Sequence, residues 1–306
     1  IISFYVFAGY RLIPALQQIY SSIMAIRFSN PALDSLHKDV VHLDNFKKKH
    51  IYKNDSKKIK IKKKISLNKI SYSYPGSQKL ILKNINIEIT AFSKVGIVGE
   101  TGSGKTTLID IILGLLDNYE GNINIDDLKI NSINKRSWQK NIGYVPQQIY
   151  LSDSTISENI AFGYNLKDIN LNALDRAAKI SNLYDFVKNE LPEGYNTMVG
   201  ERGIRLSGGQ IQRIGIARAI YHDPEVLIFD EATSSLDNIT EKIVMESIDN
   251  LDKKTTIIQI AHRLTTLKNC DQIIIINKGE VMAKGKYSEL IKNNHLFQKM
   301  SFKDNK

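Results

Sequence analysis

The sequence predicts an α/β fold with a mainly parallel sheet, an antiparallel β portion at its front and an inserted α-helical portion. Three observations carry this. Short apolar runs at Lys94–Val98, 226–229 and Thr256–Ile260 have the form of strands buried on both faces. Residues 65–74 alternate and end at Pro75-Gly76, and residues 81–89 repeat the pattern as the expected antiparallel partner. Residues from about 150 to 220 read mainly as helices and loops, so strands alternate with helices, which argues a largely parallel sheet.

Composition sets the outer bounds. A chain of 306 residues with 42% hydrophobic and 24% charged residues has ample core and excludes a collagen, a disordered chain and a bundle of membrane spans. The single cysteine, Cys270, excludes an internal disulfide framework and a thiolate metal cluster, reads as a bland structural residue, and fits a reducing cytosolic setting. The net charge of +10 is concentrated: Lys47 to Lys64 holds ten lysines and one aspartate, leaving about +1 for the rest. Such a run beside a membrane helix is drawn to an anionic cytoplasmic leaflet; a solvated linker is the alternative. Without aromatic or arginine interleaving it argues against a nucleic-acid partner.

The front of the chain has its own pattern. An apolar run, 1–9, precedes Arg11 and is too short for a span, which needs about twenty residues. A signal peptide would place its charge before the run, so the expectation is a longer protein without its N-terminal part. Leu12, Leu16, Ile19, Ile23 and Ile26 form one helical stripe, with Pro14 inside it expected to kink the helix or mark an entry point. Asn30-Pro31 is expected to end this helix, and a second short one covers 32–46. The expected domains are therefore 1–46, the end of a membrane helix and its stalk; 47–64, a lysine-rich linker; and 65–306, the α/β domain. Within the last, 106–116 reads as a helix, and 272–277 with 280–283 as a hairpin around Lys278-Gly279.

Gly99-Glu100-Thr101-Gly102-Ser103-Gly104-Lys105-Thr106 matches the pattern G-x-x-x-x-G-K-[ST] between a strand and a helix, the arrangement of a P-loop NTPase core. Glycines let the backbone wrap an anion with successive N–H groups pointing inward, and the helix start adds its dipole. Lys105 supplies a charge to the β and γ phosphates, and the Thr106 hydroxyl is a candidate magnesium ligand. Downstream, residues 226–229 end in Asp230-Glu231, which delivers two carboxylates to the crevice where α/β sheets bind ligands. Asp230 would hold magnesium through water, and Glu231 would orient or deprotonate the attacking water.

Leu206-Ser207-Gly208-Gly209-Gln210, lying between these two motifs, makes the chain resemble the ATP-binding cassette family over about residues 66–296. The resemblance implies ATP and Mg2+ as cofactors and assigns further residues. Tyr74 matches the aromatic that stacks on adenine. Gly99, Glu100, Thr101, Gly102, Ser103, Gly104, Lys105, Thr106 and Thr107 match the phosphate cradle, and Gln147 the glutamine that touches magnesium. Glu201-Arg202-Gly203 looks like an exporter-type coupling segment, Ser235-Leu236-Asp237 like the loop that crosses a dimer interface, and His262 like the histidine that contacts the γ-phosphate. In the family, Ser207, Gly208, Gly209 and Gln210 face the phosphate held by a second cassette, which implies a head-to-tail homodimer with two sites. No core catalytic position is degenerate, so both sites are expected to hydrolyse ATP, with Glu231, His262, Gln147 and Lys105 carrying the chemistry.

Membrane helices followed by a cassette on one chain resemble the layout of exporters, which implies the cytoplasmic membrane of a bacterial-type cell with the cassette on the cytoplasmic side. The front segment, Gly9-Tyr10-Arg11-Leu12-Ile13-Pro14-Ala15-Leu16 with Ile26-Arg27-Phe28 and Pro31-Ala32-Leu33-Asp34, is similar to bacterial lipid-linked oligosaccharide flippases. A generic multidrug or lipid A-type exporter is the alternative. A non-transport ATPase of DNA repair or translation is the more distant one, opposed by the short spacing of about 120 residues between Lys105 and Asp230.

Overall fold

The computed structural model describes residues 2–49, 58–232, 236–249, 254–261 and 264–304. It divides into two units, Ile1–Asp55 and Ser56–Lys306. The first holds a single helix, α1 (Ile2–Lys49), which passes through both Pro14 and Pro31. Asn30-Pro31 therefore ends no helix, and residues 32–46 are not a separate one. Each proline removes one N–H and crowds the carbonyl four residues back. On a solvent-exposed helix that carbonyl turns to water, and the bonded runs on either side carry the helix onward. The expected stripe, Leu12, Leu16, Ile19, Ile23 and Ile26, is 51–64% exposed. Among the described residues no helix is long and apolar enough to cross a membrane.

The second unit contains two sheets. The first is antiparallel, in the order β2-β1-β4-β5, from β1 (Lys64–Tyr72), β2 (Leu82–Thr90), β4 (Glu120–Ile125) and β5 (Leu128–Lys129). Its register pairs Ile65 with Ile89 and with Ile125, and Leu67 with Ile87 and with Ile123. Because side chains alternate along a strand, this puts one apolar row on the buried face and leaves Asn and Glu outside. The second sheet runs β10-β9-β3-β8-β7-β6. Its strands are β3 (Lys94–Val98), β6 (Ile142–Val145), β7 (Val226–Asp230), β8 (Thr256–Ile260), β9 (Gln272–Asn277) and β10 (Glu280–Gly285). All neighbours are parallel except the β9–β10 hairpin. Every residue of β3, β7 and β8 is buried, as expected of strands covered on both faces.

Three apolar clusters fill the unit. The first joins the antiparallel sheet to one face of the parallel sheet through α2 (Lys105–Ile112) and Trp138 of α3 (Lys135–Gln139). Helix α2 stops short of the expected 106–116 because Gly114 turns the chain with a left-handed φ of +68°. The second cluster packs α4 (Ile156–Ile160), α5 (Leu171–Ile180), α6 (Gly208–Tyr221) and α7 (Asn238–Asp249) against the other face. These helices start at side-chain caps: Thr155 closes a capping box with Glu158, and Asn170 accepts from the Ala173 N–H. The third cluster seats α8 (Tyr287–Asn293) and α9 (His295–Asp304) near β9, where Cys270 is buried.

Trp138 is fully buried and donates its indole N–H to the Ile112 carbonyl at 2.7 Å, tying α3 to the end of α2. Trp138→Phe removes that donor, leaves a buried carbonyl unpaired and opens a void. It should cost about 2–4 kcal/mol of stability. Urea unfolding followed by far-ultraviolet circular dichroism measures this, since Trp138 is the sole tryptophan.

Candidate nucleotide-binding site

The phosphate loop is fixed by what cannot fit around it. A Cβ on Gly99 would lie 2.1 Å from the Ile276 carbonyl oxygen and 2.6 Å from Ser103 Oγ. Gly102 and Gly104 take φ of +76° and +103°, a region closed to most side chains. Behind the loop, the hairpin turn braces it: Gly279 N–H donates to the Ser103 carbonyl at 3.0 Å, and the Gly279 carbonyl accepts from Lys83 N–H at 2.8 Å. Gly104 is the N-cap of α2 and brings no capping side chain, so the first N–H groups of that helix are left for an anion.

Lys105 Nζ donates to the Gly99 and Glu100 carbonyls at 2.8 and 3.0 Å. These are neutral acceptors within its own loop, and phosphate oxygens, which carry charge, bind an ammonium more strongly. Burial lowers the lysine pKa, and the charges of Glu231 and Asp230 oppose that shift. Thr106 follows it, exposed, and Thr107 Oγ1 lies 3.2 Å from the Tyr74 hydroxyl. Tyr74 itself is 42% exposed and packs edge-on against Tyr72, with centroids 5.2 Å apart. An aromatic ring thus stands at the start of α2.

The carboxylates arrive at the end of β7. Asp230 is 5% exposed, and burial raises its pKa, with the neighbouring charges of Glu231 and Asp110 adding to the shift. The Tyr144 hydroxyl approaches it at 3.5 Å and Lys105 also favours its charged form. Glu231 has a φ of +50°, left-handed for a non-glycine residue. Its N–H donates to the Ile260 carbonyl at 3.1 Å, and its Oε2 accepts from Gln147 Nε2 at 2.8 Å. The fold therefore joins Gln147, which follows β6, to Glu231 and sets Lys105 within electrostatic reach of both acids.

The glycine-rich signature starts α6. Ser207 is the N-cap: its Oγ accepts from Gln210 N–H at 3.2 Å, while its own N–H donates to Gln210 Oε1 at 2.7 Å. Gln210 thus closes a capping box, and Ser207 and Gly208 remain exposed. Glu201-Arg202-Gly203 forms a single helical turn just before it. His262 and Ser235 lie outside the described residues.

Two residues of the site were absent from the sequence reading. Asp110 sits on α2 among Leu108, Ile109, Ile111 and Ile112, its pKa raised by burial, and its charge acts on Asp230, Tyr144 and Tyr72. An acid inside an apolar helical run was the available signal. Tyr144, whose pKa is raised by burial and then by Asp230, gave none, because an aromatic in a short strand reads as core.

Thr106, Gln147 and Asp230 would offer a hydroxyl, an amide and a carboxylate, oxygen donors suited to a hard cation. Among the described residues no group of three or more His, Cys, Asp or Glu could hold a metal ion by itself.

A parallel sheet with a glycine-bordered loop feeding a helix, and a carboxylate pair at a neighbouring strand end, defines a P-loop nucleoside-triphosphatase core. A family model described as ABC transporter matches residues 82–234, and the chain belongs to the ABC transporter family as its ATP-hydrolysing, ATP-binding domain. It is 41% identical over 244 residues to ABC transporter B family member 14 of Arabidopsis thaliana, covering 78% of this chain and 19% of that protein. It is 40% identical over 233 residues to the ATP-dependent lipid A-core flippase of Shewanella frigidimarina, covering 76% and 38%. The solved structure of a bacterial Atm1-family ABC exporter with ATP bound is similar with a TM-score of 0.76 and 33% identity, covering 83% of this chain and 44% of that one. The chain thus spans less than half the length of these exporter-type relatives.

The raised pKa of Asp230 has a definite sign for stability. Its folded form binds a proton more tightly than the unfolded chain does, so stability falls as pH rises above the ordinary carboxylate range. Asp230→Asn should raise the melting temperature of the nucleotide-free chain at pH 7. The gain should shrink toward pH 4, in the ordinary carboxylate range, as the wild-type carboxyl takes up its proton. Paired thermal melts at the two pH values measure it.

Proposed function

We propose that this chain is the motor of an exporter, closing head-to-tail with a second copy around two ATP molecules. The observation that carries the reading is the junction of Gln147 and Glu231 at 2.8 Å beside Lys105 and Asp230. One carboxylate is aimed and bonded at the end of a buried strand, and the phosphate lysine is within its field. In this reading Tyr74 stacks on adenine, the backbone of 102–107 wraps the phosphates, and Lys105 leaves its carbonyls for the β and γ oxygens. Thr106, Gln147 and Asp230 would hold Mg2+, which when bound neutralises charge on the phosphates. Glu231 takes the proton of the attacking water, with His262 on the γ-phosphate.

The capped, exposed start of α6 supports the second half of the proposal. Ser207 and Gly209 offer a hydroxyl and unobstructed N–H groups to an anion held by another subunit, so each site needs two chains. Closure and opening would then act on a membrane domain through the Gln147 and Arg202 regions. The substrate we infer is a lipid-linked oligosaccharide or another lipid-like molecule, carried across the cytoplasmic membrane with the cassette on the cytoplasmic side. The name of the Shewanella relative, a lipid A-core flippase, supports a lipid-like cargo. The lysine run supports the cytoplasmic placement.

Magnesium-dependent ATP hydrolysis across a protein concentration series tests this. Specific activity should rise with concentration, as for a transient dimer, and Glu231→Gln should lower it by about two orders of magnitude or more while ATP still binds. Activity independent of concentration would remove the shared site, and unchanged turnover in the variant would remove Glu231 as the base.

A further inference from the structure

The lysine-rich segment does not stay a linker up to the first strand. From Lys58 onward its backbone is built into the domain. Lys62, Lys63 and Lys64 all donate their N–H groups to the Asp126 carboxylate, at 2.9, 2.7 and 2.9 Å. Ile61 is 2% exposed in the main core, and its N–H donates to Glu225 Oε2 at 2.9 Å. Asn141, itself fully buried, donates one amide to both the Ile59 carbonyl and Glu225, at 2.7 and 3.1 Å. At the leading end, Lys58 Nζ donates to the carbonyls of His222 and Asp223 at 2.8 and 3.0 Å.

Those two carbonyls lie immediately beyond α6, the helix whose first turn carries Ser207 to Gln210. A cation is the favoured partner for the end of a helix, where carbonyls lack intrahelical donors and the dipole is negative. Lysines at 58, 60, 62, 63 and 64 share one chemistry, yet the backbone bonds to Asp126 and Glu225 fix which of them reaches α6.

We propose that residues 58–64 are a docking strap that fixes the incoming chain on the cassette, with Lys58 a positioning residue for the signature helix. The occupant of this surface is the chain's own segment, and its place is set by backbone bonds to buried or partly buried acceptors. A pull on the chain before residue 58 is applied to one end of α6, and a helix of 14 residues carries it roughly 21 Å to the signature at the other end. The functional meaning of this path rests on the transport reading above, but the strap itself does not.

The test uses the full 306-residue chain without nucleotide. Limited trypsin digestion with peptide mass mapping reads the bonds after Lys60, Lys62, Lys63 and Lys64. They should be cut at least several-fold faster in Asp126→Ala than in wild type, with the thermal melt confirming that the variant is folded. Amide exchange over residues 214–224 reads the tether. Lys58→Met should speed it about two- to fivefold, the loss expected of one cation at a helix end, and Lys58→Arg should restore it. Affinity for a fluorescent ATP analogue should stay within about twofold in both Lys58 variants, since the strap lies apart from the nucleotide groups. Equal digestion of wild type and Asp126→Ala at these lysines overturns the strap, and unchanged exchange in Lys58→Met overturns the tether. Neither readout involves hydrolysis, so both stand apart from the outcome for Glu231→Gln.

Discussion

The exit of β3 is the constraint on which the site depends. Gly99 leaves the strand against the carbonyl of Ile276 so closely that no side chain could occupy its position. This contact sets the direction of the loop, and Ser103, braced by the Gly279 N–H, sets its return into α2. The β9–β10 hairpin is thus more than an edge of the sheet. Its turn is the rear wall of the phosphate loop, and the segment entering β2 closes the same wall: a Cβ on Gly279 would lie 2.2 Å from the Ile81 carbonyl, and one on Gly104 would lie 2.8 Å from Leu82. A loop of backbone donors stays open toward an anion when it is held rigidly from behind, and one internal bond, from the Ser103 N–H to the Glu100 carbonyl at 3.1 Å, tightens its turn.

Charge is held at this edge at a cost to the fold. Burial works against ionisation of Asp230 and of Asp110, and against protonation of Lys105. Glu231 adds a left-handed backbone, costing about 1–2 kcal/mol for a non-glycine residue, which its N–H bond to Ile260 helps to hold. Groups of this kind relax when counter-charge arrives. In the proposed function a triphosphate would bring negative charge to Lys105, and a cation would bring positive charge to Asp230. The destabilisation held at these groups would then also be a source of binding selectivity for a charged ligand.

The parts of this arrangement that were legible in the sequence are those with a fixed local pattern. The glycine run, the all-apolar strand ending in Asp230-Glu231, and the Ser207–Gln210 start of α6 each encode their geometry within a few residues. Strands β4, β5 and β6 do not: β4 carries Glu120, Asn122 and Asn124 on its outer face, β5 has two residues, and β6 has four. Their strand character comes from partners elsewhere in the chain, as with Ile142 to Val145 lying along β7. Pro31 misled for the opposite reason. Its local preference is real, but an exposed helix has water to take up the freed carbonyl, so the preference does not decide. Asp110 and Tyr144 were missed because their roles come from desolvation near Asp230, which no one-dimensional pattern carries.

Helix α6 is where these separate constraints meet. Its start is capped by Ser207 and Gln210, and its carbonyl end by Lys58. Between them, Arg213 reaches the Asn182 carbonyl beyond α5 at 2.6 Å. Arg218 donates to the Tyr150 carbonyl, three residues past Gln147, at 2.9 Å, and to Asn159 in α4 at 2.7 and 3.1 Å. Burial disfavours the charge of both arginines, so each is held there by the carbonyls it satisfies. Rigid elements transmit displacement when their ends and middle are bonded to different neighbours and their own backbone cannot stretch. By that criterion α6 joins three places at once: the segment following Gln147, the helical portion of the domain, and the strap through which the preceding chain enters. Gln147, bonded to Glu231, and Tyr150, whose carbonyl accepts from Arg218, thus stand three residues apart between the end of β7 and the middle of the helix that begins with the signature.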